Sequence, residues 1–299
     1  MAAKNVKISA TGKNHHAVLD DGPAFAIGKE VKYGDNIGLQ HLGNSTSKRY
    51  SPEEHREEYG FWADFLVPTA TCESGGCYSC LNTYDTALFT FGFLQFAAHV
   101  PNGDCILYFR RLLALPQAES YFPDLIVKEG RIHHRQGGIM LPLETDDDTS
   151  GFQRYFNPDP ALLSDEERRR AALCIHWCEN DPEVRDLQVA VGIALFKKNM
   201  KLYAQKYSLD QAPDSICAIV ADIRHQGRAK SDAILQALDA KGRWDVARTN
   251  LLRLGLDKYP GRPQQLEATL RRLEDEGIFG RRVYDLASAD FQLLSDDVR

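Results

Sequence analysis

Cys72-Glu73-Ser74-Gly75-Gly76-Cys77, followed by Asn82-Thr83-Tyr84-Asp85-Thr86-Ala87-Leu88-Phe89-Thr90-Phe91-Gly92-Phe93-Leu94-Gln95-Phe96, is the stretch on which the reading of this 299-residue chain turns. Upstream of it, Ser51-Pro52-Glu53-Glu54 offers a helix N-cap, a proline in the first turn and acids at the positive end of the helix dipole. A helix is therefore expected from about Pro52 to about Thr71, with Pro68 kinking or shortening its last turn. Downstream, Gly75-Gly76, Asn82 and a run of aromatic and β-branched residues lack helical periodicity and suit a short hairpin over Glu73 to Thr90. Glu73 is thus expected at a helix end and Asp85 in the hairpin that follows.

Two carboxyl groups so placed suit a definite chemistry. Hydrolysis of a glycosidic bond needs an acid to protonate the leaving oxygen and a second polar group, usually a carboxylate, to activate water or stabilise the cationic sugar. A packed helix fixes the backbone of Glu73, and its neighbours Phe61, Trp62, Phe65 and Leu66 are expected to desolvate it so that it holds a proton near neutrality. Asp85, among Asn82, Thr83 and Thr86, is expected to stay ionised. Thr90 has a hydroxyl that accepts and donates at once and so suits holding a water. Each residue also has a plainer reading: Glu73 as a solvated helix-end glutamate, Asp85 as a turn residue capping its own backbone, Thr90 as a strand residue and Gln95 as a buried hydrogen-bonding side chain.

The order of a helix-terminal Glu73, a hairpin Asp85, Thr90 five positions later and then Gly92-x-x-Gln95 resembles the lysozyme-like superfamily, and within it the chitosanases of glycoside hydrolase family 46 and related peptidoglycan-degrading enzymes. The resemblance implies an inverting hydrolase with Glu73 as acid, Asp85 as base and Thr90 placing the attacking water. Phe91-Gly92-Phe93-Leu94-Gln95 looks like the Gly-Leu-x-Gln signature of such folds, in which the glycine admits the substrate and the glutamine lies near the cleft. Asp222-Ile223-Arg224-His225-Gln226-Gly227 is a weaker echo of an element lining the other lobe. Tyr84, Gly92, Gln95, His225 and Gln226 are then the expected substrate-binding residues. The resemblance covers Ser51 to Leu115 well and Pro213 to Glu274 loosely. The interval from Glu73 to Asp85 is shorter than in typical chitosanases, and the local cysteines are unusual.

Working outward, residues 1–50 are rich in Gly, Lys, Asn, His and Ser and read as an N-terminal arm with a few strands or turns. Pro101-Asn102-Gly103-Asp104 makes a turn before a helix over Cys105 to Leu115, and Phe122 to Leu143 reads as a second hairpin. Beyond Ser164 the signal is nearly all helical, with starts at Ser164, Asp181-Pro182-Glu183, Pro213, Ser231, Trp244 and Pro263. The expected fold is mainly α within the α+β class. The resemblance makes it a two-lobed lysozyme-like fold with small β-hairpins beside the cleft, residues 51–299 forming the catalytic domain.

A formal net charge of -6 and a pI near 5.9 disfavour nucleic acid as a partner. No apolar run is long enough to span a bilayer, and Met1 to Gly12 lacks the apolar core of a signal peptide. Synthesis in the cytoplasm, with release by lysis or dedicated export to a target cell's periplasm or wall, is the matching expectation. Seven cysteines leave at least one unpaired in a monomer. Free thiols, and a disulfide among Cys72, Cys77, Cys80 and Cys105 formed after export, are both open readings. Cys72, Cys77 and Cys80 with Cys105 or His99 make a poor zinc set, because only one Cys-x-x-Cys is present. Cys174 and Cys178 share a helix face from which His176 points away, which fits core packing. His133-His134-Arg135 and Arg168-Arg169-Arg170 read as solvated faces. No metal or cofactor is expected.

The resulting expectation is a glycosidase cutting β-1,4 bonds of an amino-sugar polymer, peptidoglycan first and chitosan second. If it is an exported antibacterial effector, the family implies an immunity protein as partner. The rival expectation is a non-catalytic glycan- or protein-binding module on the same scaffold, since fold does not guarantee activity.

Overall fold

The structure is a computed structural model that describes residues 2–294. In chain order the strands and helices are β1 (Val6–Thr11), β2 (Asn14–Leu19), β3 (Phe25–Tyr33), β4 (Asn36–His41), α1 (Arg56–Tyr59), α2 (Phe61–Ser74), β5 (Leu81–Asn82), β6 (Thr90–Phe91), β7 (Phe96–Ala97), α3 (Asp104–Leu112) and α4 (Ala118–Tyr121). They continue with β8 (Leu125–Lys128), β9 (Arg131–Gln136), β10 (Ile139–Pro142), α5 (Ser150–Phe156), α6 (Asp165–Asn180), α7 (Pro182–Tyr207), α8 (Asp214–Gln226), α9 (Ser231–Leu238), α10 (Trp244–Leu252), α11 (Gly261–Asp275), β11 (Arg282–Asp285) and β12 (Asp290–Leu293). The chain divides into two compact units: one comprises the chain up to Tyr50 and Cys77–Val191, the other Ser51–Gly76 and the chain from Gly192 onward.

The first unit is organised by a seven-stranded antiparallel sheet in which β1 to β7 lie in chain order. Helix α6 packs on β1, β2 and β3, over the buried Ala17 and Leu19. An aromatic core made by Phe89, Phe91, Phe109, Phe152 and Phe156 is closed by the stacking of Phe89 on Phe156, with ring centroids 4.0 Å apart. A second antiparallel sheet has the order β10-β9-β8. Phe122 to Leu143 thus forms three strands, where the sequence suggests two.

In the second unit α2 packs against α8 and α11, and the β11–β12 hairpin adds Phe291 to an aromatic cluster with Phe61, Trp62, Phe65 and Phe279. The single helix expected over Pro52 to Thr71 is interrupted. A 3-10 turn at Pro52–Glu54 and the short α1 precede a break at Gly60, whose φ of 58° and ψ of -139° stop the helical path before α2 begins. Ser51 does not cap a helix; its hydroxyl donates to Glu53 Oε2. Pro68 lies inside α2 without ending it, and α2 runs through Glu73 to Ser74.

The expectation of a mainly α, lysozyme-like two-lobed fold with only small hairpins is corrected here. The architecture is α+β with a large antiparallel sheet, and residues 1–50 supply four of its seven strands. Among the described residues no helix is long and apolar enough to cross a membrane.

Candidate active site

Glu73 is set by the way α2 ends. Gly75 takes the left-handed conformation at φ 61°, donates its N–H to Thr71 O, and lets the N–H of Gly76 reach back to Ala70 O. This glycine cap satisfies carbonyls that the last helical turn leaves open and fixes the residue two positions before it. The Glu73 side chain is 15% exposed, and its Oε1 accepts a hydrogen bond from Arg262 at 2.6 Å. His225 Nε2 lies 3.8 Å from the same oxygen.

Arg262 is itself held. Its Nη2 also donates to Asp222 Oδ1 at 2.7 Å, and its Nε reaches Asp222 Oδ2 at 3.3 Å. Asp222 in turn pairs with Arg228, and both of those side chains are fully buried. Charges therefore alternate along Glu73, Arg262, Asp222 and Arg228, each shared with its neighbour, which is how charges this deep persist. Burial works against the Arg262 charge, but the Glu73 and Asp222 carboxylates outweigh it and hold its pKa above the usual arginine range. Cys72, beside Glu73, donates its Sγ to Arg262 O at 3.9 Å. Burial, reinforced by Asp222, pushes that thiol up to about 12, so it stays protonated.

Phe61, Trp62 and Phe65 belong to the aromatic cluster of the second unit, and the polar groups nearest the carboxylate are Arg262 and His225. Gln226 buries an amide oxygen with no hydrogen-bond partner among the described residues.

Asp85 lies in the first unit, in the turn joining β5 to β6. Its Oδ1 accepts from the Ala87 N–H at 2.9 Å, and its carbonyl accepts from Leu88 N–H and from Asn36 Nδ2. Burial raises its pKa from the ordinary aspartate value, against the lowering effect of the Ala87 bond and of His99. The wet, readily ionised carboxylate expected from sequence is therefore a half-buried one. Thr83, two residues earlier, is pinned: Leu39 N–H donates to its hydroxyl, the hydroxyl donates to Glu167 Oε1, and Asn157 donates to its carbonyl.

The hairpin after Asp85 is braced by Gln95. Its Oε1 accepts from Thr90 at 3.0 Å and from Asn82 at 2.7 Å, while its Nε2 donates to Gly92 O and Cys80 O. Gly92 has φ 92°, and a Cβ there would meet Gln188 Oε1 at 2.5 Å. Gln188 needs that space, because it is fully buried, takes the Phe93 N–H and donates to Tyr78 O. Tyr84 accepts from Gln40 through its hydroxyl at 2.8 Å.

The structure thus brings Glu73 together with His225, and Thr90 together with Gln95; Asp85, Thr90, Gly92, Gln95 and Tyr84 share the first unit, Glu73, His225 and Gln226 the second. Sequence reasoning missed Arg262, Arg228, Glu167 and Gln188, and quoted Asp222 only as the first residue of a motif. A buried Asp six positions before an Arg at a helix end is a faint signal for Asp222 and Arg228, but nothing local announces Arg262. None of the seven cysteines is in a disulfide, and among the described residues no group of three or more His, Cys, Asp or Glu side chains is arranged to hold a metal ion. No protein-family model, no curated protein and no solved structure matches this chain.

Proposed function

We propose that this chain is a glycoside hydrolase that cleaves β-1,4 bonds of an amino-sugar polymer by an inverting acid/base reaction, with Glu73 as acid, Asp85 as base and Thr90 as the hydroxyl that positions water. The observation that carries the reading is the setting of Glu73. A carboxylate at a capped helix end is locked by an arginine that two further buried charges hold in place, an outlay of buried charge that a structural glutamate does not require.

Arg262 stabilises the carboxylate left after Glu73 has given its proton to the leaving oxygen, and burial favours Asp85 once it has taken a proton from water. The Arg262 cation at Glu73 opposes a positively charged chain, so peptidoglycan is the first substrate and chitosan the second.

Purified peptidoglycan and chitosan are incubated separately with the unmodified chain, Glu73→Gln and Asp85→Asn, and soluble sugar is measured. Each variant is expected to lose about a hundredfold or more in rate. An aryl glycoside with a good leaving group, which needs no acid, should restore turnover to Glu73→Gln and not to Asp85→Asn. The rate of the unmodified chain should fall on acidification at a pH above the ordinary aspartate value, as Asp85 takes up its proton. Release of sugar by Glu73→Gln at the unmodified rate would sink the reading.

A further inference from the structure

Across the seven-stranded sheet the paired positions run in one line. Thr11 lies opposite Asn14, Asn14 opposite Lys29, Lys29 opposite Gln40, Gln40 opposite Asn82, and Asn82 opposite Thr90. Directly opposed residues of antiparallel strands present their side chains to the same face. These six polar residues, one from each of β1 to β6, therefore form a single row. With strands about 4.8 Å apart, the row is about 24 Å long. The adjoining positions Leu39, Leu81 and Phe91 face the other way and are buried, so core packing accounts for that face; in the row itself Gln95 engages Asn82 and the buried Thr90, and the Tyr84 hydroxyl engages Gln40, which leaves Thr11, Asn14 and Lys29 as its exposed members.

At its N-terminal end, Asn14, Lys29 and Gln40 line a cavity of about 320 Å³ together with His16, Leu42 and Asn44. That volume lies within the range of small-ligand sites. At its other end, Asn82 Oδ1 is shut off from solvent and has no hydrogen-bond partner among the described residues. Amide, hydroxyl and imidazole groups give and take hydrogen bonds, as sugar hydroxyl and acetamido groups require, and Leu42 offers an apolar surface to a ring face. One polar side chain every strand step matches the advance of one ring along an extended β-1,4-linked chain. The only formal charge in the row is that of Lys29, which repels a cationic polymer.

We propose that this row is a glycan-binding track for an extended, N-acetylated β-1,4-linked amino-sugar chain, and that it discriminates against the deacetylated, cationic form. The assignment rests on the glycosidase reading, since the row ends on Asn82 and Thr90, the strands joined by the Asp85 turn. It gives residues 1–50 a function.

The test uses the full-length Glu73→Gln chain, titrated calorimetrically with the hexamer of N-acetylglucosamine and with the hexamer of glucosamine. The same titrations are repeated with Asn14→Ala and Lys29→Ala added, two exposed positions whose replacement leaves the fold intact, as near-UV circular dichroism checks. The acetylated hexamer is expected to bind at least tenfold more tightly than the glucosamine hexamer, and the double substitution to weaken it about five- to tenfold. An acetylated hexamer that does not bind, one that binds no better than the glucosamine hexamer, or a double substitution that changes its affinity less than twofold overturns the track. Because binding is read without hydrolysis, the two assignments fail separately. Weakened binding in a protein whose unmodified form releases no sugar leaves the track standing and removes the hydrolase; hydrolysis with unweakened binding does the reverse.

Discussion

Glu167 and His41 illustrate how single buried groups set the pH response of the first unit. Glu167 is fully buried, and its desolvation raises its pKa to about 7 against the hydrogen bond from Thr83. The folded chain therefore keeps a proton that the unfolded chain releases, and stability from this group is present below about 4.5 and is lost as pH rises to about 7. His41, buried beside Ser79, is desolvated and lowered to about 4. Its contribution has the opposite sign, present above the ordinary histidine value of 6.5 and lost as pH falls toward about 4. Each shift corresponds to about 3 kcal/mol, so the two nearly cancel between pH 4.5 and 6.5. Glu167→Gln should lose stability on going from pH 7 to pH 5 relative to the unmodified chain, and His41→Gln should gain it. Urea midpoints at the two pH values check this, and parallel pH profiles for all three proteins would refute it. At this scale the sequence offers Glu73 and Asp85 as residue types in a pattern. Their settings are not legible in it, because the arginine that holds Glu73 lies 189 positions further along the chain.

Most helix starts with a local signal were legible, the exception being Ser51-Pro52, which opens only a 3-10 turn. Ser164 accepts the Glu167 N–H as a side-chain cap, and α7, α8, α9 and α10 begin where Pro182, Pro213, Ser231 and Trp244 suggested. The sheet was not, for two physical reasons. Strands β5, β6 and β7 have two residues each, too few for any period to show. In β2 the buried positions are His15, Ala17 and Leu19 while Val18 is half-exposed, so hydropathy does not alternate with burial. The end of α2 is the element on which the candidate site depends most directly, and Gly75-Gly76, which the sequence reading placed in a hairpin, cap it instead. Gly75→Ala places a Cβ in the left-handed region and should cost about 1–2 kcal/mol. Because the last turn then shifts, the Glu73–Arg262 pair should loosen and sugar release should fall by more than the lost folded fraction explains. Denaturation midpoints measured beside the hydrolysis rate test it; an unchanged rate in a folded variant would uncouple the cap from the site.

For the whole molecule, the chain passes from the first unit to the second after Tyr50 and returns at Cys77 to complete the sheet that residues 1–50 began. Strand β4 is the hydrogen-bonding neighbour of β5 through Gln40 opposite Asn82 and His41 opposite Leu81, and Leu39 donates its N–H to the Thr83 hydroxyl. Removing residues 1–50 would strip Val6, Ala17, Leu19, Ile27 and Leu39 from the core and expose the face of α6 that β1 to β3 cover. It would also leave β5 as an unpaired edge two residues long, a state that favours aggregation over folding. A chain beginning at Ser51 is therefore expected to lose the cooperative unfolding transition of the first unit and to show unprotected amides through β5 to β7 in hydrogen exchange, with sugar release lost alongside. Amide protection and a melting midpoint equal to those of the full chain would show instead that residues 51–299 fold alone, and that the four N-terminal strands only extend a sheet already stable without them.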